Sequence, residues 1–177
     1  ILFFGRLHEI KGIDLIIEGF NEICKIRNDL KLVIMGPDEG EFSSLNKQVN
    51  ELNLHDKVIF TGFISGIKKL SIIKESHICI QSSRYEQGAG APFEAVLCGT
   101  PILVSDNSGA GQDVKRINAG FLFNYGNKVS LADNINYILN NYENAIEKTL
   151  VAANTIKNEL SFDKCIVNYY DLYRKLI

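Results

Sequence analysis

Two carboxylates, Glu86 and Glu94, stand with seven residues between them, and the segment they bracket contains Gly88-Ala89-Gly90-Ala91-Pro92. The small residues leave the backbone open to close approach. Pro92 falls where a first helical position is expected, and Gly99 with Pro101 marks the end of a short helix. No Ser, Thr, Asp or Asn immediately precedes Pro92, so the open N–H groups of this helix start lack a side-chain cap. A phosphate suits them, because the helix dipole favours an anion at that end. One acid before the anion site and one on the first turn after it match a phosphorylated ligand with hydroxyls at both ends. Each feature also has an ordinary explanation. A first-turn Glu complements the dipole, a loop Glu is commonly a solvated charge, and small residues also serve tight packing. Their coincidence at one strand-to-helix junction marks a candidate ligand site.

A second cluster of chemistry lies near the start of the chain. Gly5 begins a turn after the apolar run Ile1–Phe4, Arg6 follows it directly, and Lys11 precedes Gly12. An arginine at a strand end can reach into the crevice and grip a phosphate in fork geometry. Arg6, Lys11 and the uncapped helix start would together clamp a diphosphate, although surface charge is the ordinary alternative for both cations. No acidic pair at metal-binding spacing calls for magnesium, so no metal is assigned. The turn Gly109-Ala110-Gly111-Gln112-Asp113 reads either as a second anion- or sugar-facing turn or as a helix cap. His8 shares the loop of Arg6 and is a candidate for ligand contact; His77 reads as structural. A GxGxxG motif is absent, which argues against a nicotinamide dinucleotide.

These residues need a scaffold, and the chain supplies alternating strand-like and helix-like segments. Strands are predicted at Ile1–Phe4, Leu32–Met35, Val58–Phe60, His77–Ile80, Ile102–Val104 and Phe121–Phe123. Helices are predicted from Gly12 to about Arg27, Phe42 to Leu54, Ile67 to Glu75 and from Pro92, with only helical pattern after Val129. This is an α/β chain with one doubly wound, mostly parallel sheet. Ligands in such sheets bind at the carboxyl ends of the strands. The loops that matter therefore begin at Gly5, Gly36, Gly62, Ser82 and Ser105.

The 177 residues suffice for one domain with a sizeable core. Hydrophobic content of 46%, charged content of 23% and a formal net charge of -2 give no electrostatic case for nucleic acid. The four cysteines form no CxxC pair and read as buried free thiols in a reducing compartment. No apolar run approaches the roughly 20 residues of a membrane span. The chain begins in a strand without Met, as expected of a domain from a longer protein.

Taken in order, Gly5-Arg6-Leu7 through Lys11-Gly12, Ser83-Arg84-Tyr85-Glu86 through Glu94-Ala95, and Gly99-Thr100-Pro101 resemble a known family. They look like the carboxyl-terminal, donor-binding domain of a family 4 (group 1) retaining glycosyltransferase of the GT-B fold. The resemblance runs from Gly5 to about Phe121. It implies a Rossmann-like six-stranded sheet with helices on both faces, residues 1–177 forming one half of a GT-B enzyme. The last helix, Ser161 to Ile177, would cross over toward an absent amino-terminal acceptor-binding domain. The resemblance also assigns roles. Arg6 and Lys11 would bind the donor diphosphate, Glu86 the sugar hydroxyls and Glu94 the ribose hydroxyls. The amides around Gly90 and Ala91 would meet the phosphates, Thr61 with Gly62 would border the base, and Gly5 and Gly88 would also belong to the donor site. The implied reaction moves a hexose from a nucleoside diphosphate sugar to an acceptor hydroxyl with retention, in glycan, polysaccharide or glycolipid synthesis. No cofactor is implied, and the isolated fragment is expected to be inactive. A cytoplasmic location is implied, compatible with peripheral membrane association of the full-length protein.

The sequence departs from the family pattern at several places. Gly88 and Ala89 stand where an aromatic residue and a glycine are usual, His77 replaces Asp, Ser82 replaces Pro, and Asp113 replaces Glu. A nucleotide-sugar epimerase half-domain and a noncatalytic nucleotide-sugar-binding module are the alternative readings. The last helix carries Phe162, Ile166, Tyr169, Tyr170, Leu172, Tyr173 and Leu176, more apolar surface than one narrow face. Part of it is expected to pack on this domain and part to face the absent one.

Overall fold

Short apolar runs become strands here because both faces of the sheet are covered, so no alternation with polar residues is needed. The computed structural model describes residues 1–176, the Asn168 side chain excepted. Its strands are β1 (Leu2–Phe4), β2 (Leu32–Met35), β3 (Val58–Gly62), β4 (Cys79–Gln81), β5 (Ile102–Ser105) and β6 (Phe121–Phe123). They form one parallel sheet in the order β3-β2-β1-β4-β5-β6, which is the doubly wound arrangement expected. The order reverses between β1 and β4. Ligands of doubly wound sheets bind near such a reversal, at the carboxyl ends of the strands.

Helices α1 (Ile13–Cys24), α2 (Phe42–Glu51) and α6 (Lys128–Asn140) cover one face, packing on Phe3, Ile34, Ile80, Leu103 and Phe123. The other face holds Leu2, Phe4, Met35, Cys79, Ile102 and Val104. It is covered by α3 (Gly66–Glu75), α4 (Gly90–Leu97), α5 (Gly109–Arg116) and α7 (Tyr142–Glu159). Phe3 and its neighbours Leu2 and Phe4 divide between the two faces because successive strand side chains point to opposite sides. On α1, Ile16, Ile17, Phe20 and Ile23 are all buried. Burial of side chains this size contributes about 1.5–3 kcal/mol each.

Several expected boundaries move. β3 runs on through Thr61 and Gly62, and β4 starts at Cys79; His77 lies outside it, its ring 5.4 Å from that of Tyr142. α4 begins at Gly90, so Pro92 is its third residue and Glu94 lies on its second turn, not its first. Proline still fits, because the early N–H groups of a helix have no intrahelical acceptor. The glycine-rich segment Gly109–Asp113 is no turn but the start of α5, whose N-terminus is capped by Ser108 Oγ accepting from the Gly111 N–H at 3.3 Å. The cysteines are free, yet only Cys79 is buried; Cys24, Cys98 and Cys165 are half-buried. Burial pushes the Cys79 thiol far above its ordinary range.

The final helix, α8 (Phe162–Arg174), departs furthest from expectation. Phe162, Ile166, Tyr169, Tyr170, Leu172, Tyr173 and Leu176 are all exposed, and no described residue of α8 is buried. The expected packing of one part of it on this domain is reduced, among the described residues, to the half-buried Cys165. Both sheet faces are already covered by other helices. Ile177, the last residue of the expected helix, lies outside the described residues.

Candidate functional site

A cleft of about 560 Å³ lies at the carboxyl ends of β1, β2 and β3. Gly5 and Arg6 come to it from the end of β1, Gly36 and Pro37 from β2, and Phe63 to Gly66 from β3. Lys69 and Leu70 of α3 and Glu94 of α4 complete the wall. Backbone pairing locks the first two loops together: the Leu7 N–H donates to the Pro37 carbonyl at 2.8 Å and the Glu39 N–H to the Leu7 carbonyl at 3.0 Å. Gly36 is where they touch most closely. A Cβ there would lie 1.7 Å from the Gly5 carbonyl oxygen, so only glycine fits. Asp38 organises the same loop, one carboxylate oxygen accepting from the N–H groups of Gly40, Glu41 and Phe42 at 2.9–3.0 Å. These bonds, led by that from Phe42, hold its carboxyl below the usual range. Arg6 points its guanidinium at Glu39, 2.7 Å away, in a pair that is largely solvent-exposed.

Lys11 and Glu86 meet although 75 residues apart, Nζ lying 2.5 Å from Oε2. Both are shielded, with side chains 16% and 26% exposed. The same carboxylate oxygen lies 3.3 Å from Ser83 Oγ and 3.4 Å from Gln81 Nε2. Three bonds fasten the two loops carrying the pair. Ser82 Oγ donates to the Gly12 carbonyl at 2.6 Å, the Arg84 N–H to the Ile10 carbonyl at 2.8 Å, and the Arg84 guanidinium to the Glu9 carbonyl at 2.7 Å. That guanidinium also grips both oxygens of Asp14, at 2.9 and 2.7 Å, which raises its pKa further. The serine standing in place of the family's usual proline thus serves as a stitch between loops. Gly12, at φ +61°, lets the backbones meet; a Cβ would come within 2.2 Å of the Ser82 carbonyl oxygen.

α4 begins without a side-chain cap, as expected, its N-cap being Ala89. Pro92 has no N–H, so the open donors of the first turn are those of Gly90 and Ala91. Glu94, one and a half turns on, faces Lys69, whose Nζ is 2.7 Å from one carboxylate oxygen and 2.8 Å from the other.

Of the residues singled out from sequence, Gly5, Arg6 and Glu94 line the cleft, while Lys11 and Glu86 pair with each other and are not part of its lining. Thr61 and Gly62 do not line it. They belong to β3, and Gly62 serves through its carbonyl, which accepts from the Gly36 N–H at 3.0 Å; the lining falls to the next four residues. Gly88 faces α5, a Cβ there reaching within 3.6 Å of an Asp113 carboxylate oxygen. His8 turns inward on its own loop, its Nδ1 accepting from the Ile10 N–H at 3.1 Å. Lys69, Gln81, Arg84 and Asp14 were given no role from sequence. The partners of Lys69, Arg84 and Asp14 lie far along the chain, whereas those of Gln81 lie within its own loop; only Arg84, inside a recognised motif, carried any signal.

Among known proteins, the mannosylfructose-phosphate synthase of Agrobacterium fabrum is 34% identical over 116 residues, 62% of this chain and 26% of that protein. The chain spans between 24% and 48% of the length of the curated relatives it matches. The crystal structure of Anabaena Alr3699/HepE in complex with UDP superposes with a TM-score of 0.82 at 22% identity, over 99% of this chain and 47% of that one. The carboxyl-terminal domain of a group 1 glycosyl transferase from Francisella tularensis superposes with a TM-score of 0.77 at 18% identity, over 91% of this chain and 86% of that one. At these identities the superpositions speak for the fold. The family model for glycosyl transferases group 1 matches residues 1–154. The chain belongs to the group 1 glycosyltransferases.

Proposed function

We propose that this chain is the donor-binding half of a glycosyltransferase of the GT-B type, one that moves a sugar from a nucleoside diphosphate sugar to an acceptor hydroxyl with retention. The observation that carries the reading is the meeting of Lys11 with Glu86 where the loops after β1 and β4 are stitched together, on the loop that leads into the uncapped start of α4. A cation, a carboxylate and open backbone donors are the groups a sugar diphosphate requires. In this reading Arg6, Lys11 and the N–H groups of Gly90 and Ala91 hold the diphosphate. Glu86 takes hydroxyls of the sugar, Glu94 those of the ribose, and Phe63 to Gly66 border the base.

The pairs found are compatible with this exchange of partners. The exposed Arg6–Glu39 pair is of a kind that contributes about 0.2–1 kcal/mol, so a diphosphate displaces Glu39 at small cost. As the bond to the anomeric carbon breaks, charge grows on the leaving diphosphate. Cations and helix donors already in place stabilise that charge more in the transition state than in the ground state.

UDP and UDP-glucose are the probes of choice, since the similar HepE structures are complexes with them. The chain of 177 residues should bind a nucleoside diphosphate and its sugar conjugate yet transfer no sugar, the acceptor-binding half being supplied by the longer protein. A thermal-shift screen across nucleoside diphosphate sugars, followed by a transfer assay, tests both parts. Absence of binding to every donor refutes the donor-half reading, and transfer by this chain alone refutes the two-domain one. Alteration of the donor sugar by the full-length protein without an acceptor would instead indicate an epimerase.

A further inference from the structure

The buried strand β4 ends in an amide, Gln81, after Cys79 and Ile80. Around it lie Phe4, Cys79, Ala91, Pro92 and Val104, and burying an amide among them is costly unless its hydrogen bonds are made. Its side-chain nitrogen turns to the Glu86 loop. Nε2 donates to Ser83 Oγ at 2.9 Å and lies 3.4 Å from Oε2 of Glu86. Ser83 is fully buried, and its Oγ lies 3.3 Å from the same carboxylate oxygen. Lys11 reaches that oxygen too, at 2.5 Å. The backbone of Glu86 is fixed separately, its carbonyl accepting from the Gly109 N–H of α5 at 2.8 Å.

A hydroxyl that accepts from Gln81 turns its own proton elsewhere, and the Glu86 carboxylate is the acceptor within its reach. With the amide turned over, its carbonyl oxygen would face the carboxylate, so the charge on Glu86 sets the direction of the relay. Three donors thus gather on Oε2, and none among the described residues donates to Oε1. Ser105 Oγ is the one side-chain polar atom buried without a partner among the described residues, so Oε1 is open to solvent. Oε2 has two lone pairs and is already crowded, which leaves Oε1 as the acceptor for an incoming hydroxyl. If Lys11 turns to a bound diphosphate, Gln81 and Ser83 remain on Oε2. They then keep the carboxylate from swinging among its staggered conformers.

We propose that Gln81 and Ser83 are positioning residues: they hold Oε2 of Glu86 and so present Oε1 to a hydroxyl of the donor sugar while Lys11 serves the diphosphate. The proposal rests on the reading of Glu86 as the sugar acid. Its test is calorimetry with UDP and UDP-glucose on the protein and on its Gln81→Met, Ser83→Ala and Glu86→Ala variants. A fourth variant combines Gln81→Met with Glu86→Ala. Methionine keeps the unbranched shape of the side chain and removes only the amide. UDP affinity should be unchanged in Gln81→Met, which reports that the fold and the phosphate clamp are intact. The ratio of UDP-glucose to UDP affinity should fall about three- to tenfold, as the loss of one net hydrogen bond implies. Ser83→Ala should reproduce that fall, and it carries the test alone if Gln81→Met does not fold. In the Glu86→Ala background the change at Gln81 should move the ratio no further, because it acts only through that carboxylate. A full ratio in either single variant, Gln81→Met or Ser83→Ala, overturns the proposal and leaves the sugar reading standing. Equal losses for UDP and UDP-glucose make the pair structural only and likewise overturn it, as does a fall of the same size without Glu86. A ratio unmoved by Glu86→Ala refutes the sugar reading itself.

Discussion

Arg6 and Lys11 carry the same charge on the same loop but are held in different ways. Arg6 leans on Glu39 in solvent, whereas Lys11 is shielded and pressed against Glu86. If both serve the diphosphate, changing either to Ala should weaken UDP binding by about 1.5–3 kcal/mol, the range for a charge-assisted hydrogen bond. Uridine should be affected little by Arg6→Ala. Lys11→Ala removes in addition the partner of Glu86, so it should also erode the extra affinity conferred by the sugar of UDP-glucose. Titration calorimetry with the three ligands separates the cases. Equal losses for uridine and UDP would contradict the clamp.

At the scale of elements, the β1–α1 and β4–α4 loops behave as one unit, stitched by Ser82, Arg84 and the close approach at Gly12. Gly12→Ala forces a Cβ into the Ser82 carbonyl and a side chain onto left-handed backbone, so one of the loops must shift. We expect a stability loss of about 1–3 kcal/mol, or several degrees in Tm, with weaker UDP binding. An unchanged Tm with unchanged affinity would show that the loops are not coupled there. Much of the framework was legible in the sequence, and the reason is physical. A strand buried on both faces leaves an unbroken apolar run, as in Leu32–Met35 and Phe121–Phe123, whose limits match the structure. The start of α4 was misread by two residues because proline is tolerated throughout the uncapped first turn. The pairings Arg84–Asp14 and Lys69–Glu94 could not be read. They span 70 and 25 residues, and it is the sheet order that brings them together.

For the molecule as a whole, both faces of the sheet are covered, yet α8 displays Tyr169, Tyr170, Leu172 and Tyr173 to solvent. These features fit the proposed donor half of a two-part enzyme, in which the two acids would have separate tasks along one bound donor. Glu86 stands between Lys11 and the buried Gln81 and Ser83, and Glu94 on the cleft wall beside Lys69; in the proposed reading the first takes the sugar and the second the nucleoside. The account stands or falls on that division. The most direct measurement is calorimetry of Glu86→Ala and Glu94→Ala with UDP and UDP-glucose. Glu94→Ala should weaken both ligands alike, and Glu86→Ala should spare UDP while removing most of the added affinity of the glucose. Loss of UDP binding in Glu86→Ala with full retention in Glu94→Ala would contradict the account.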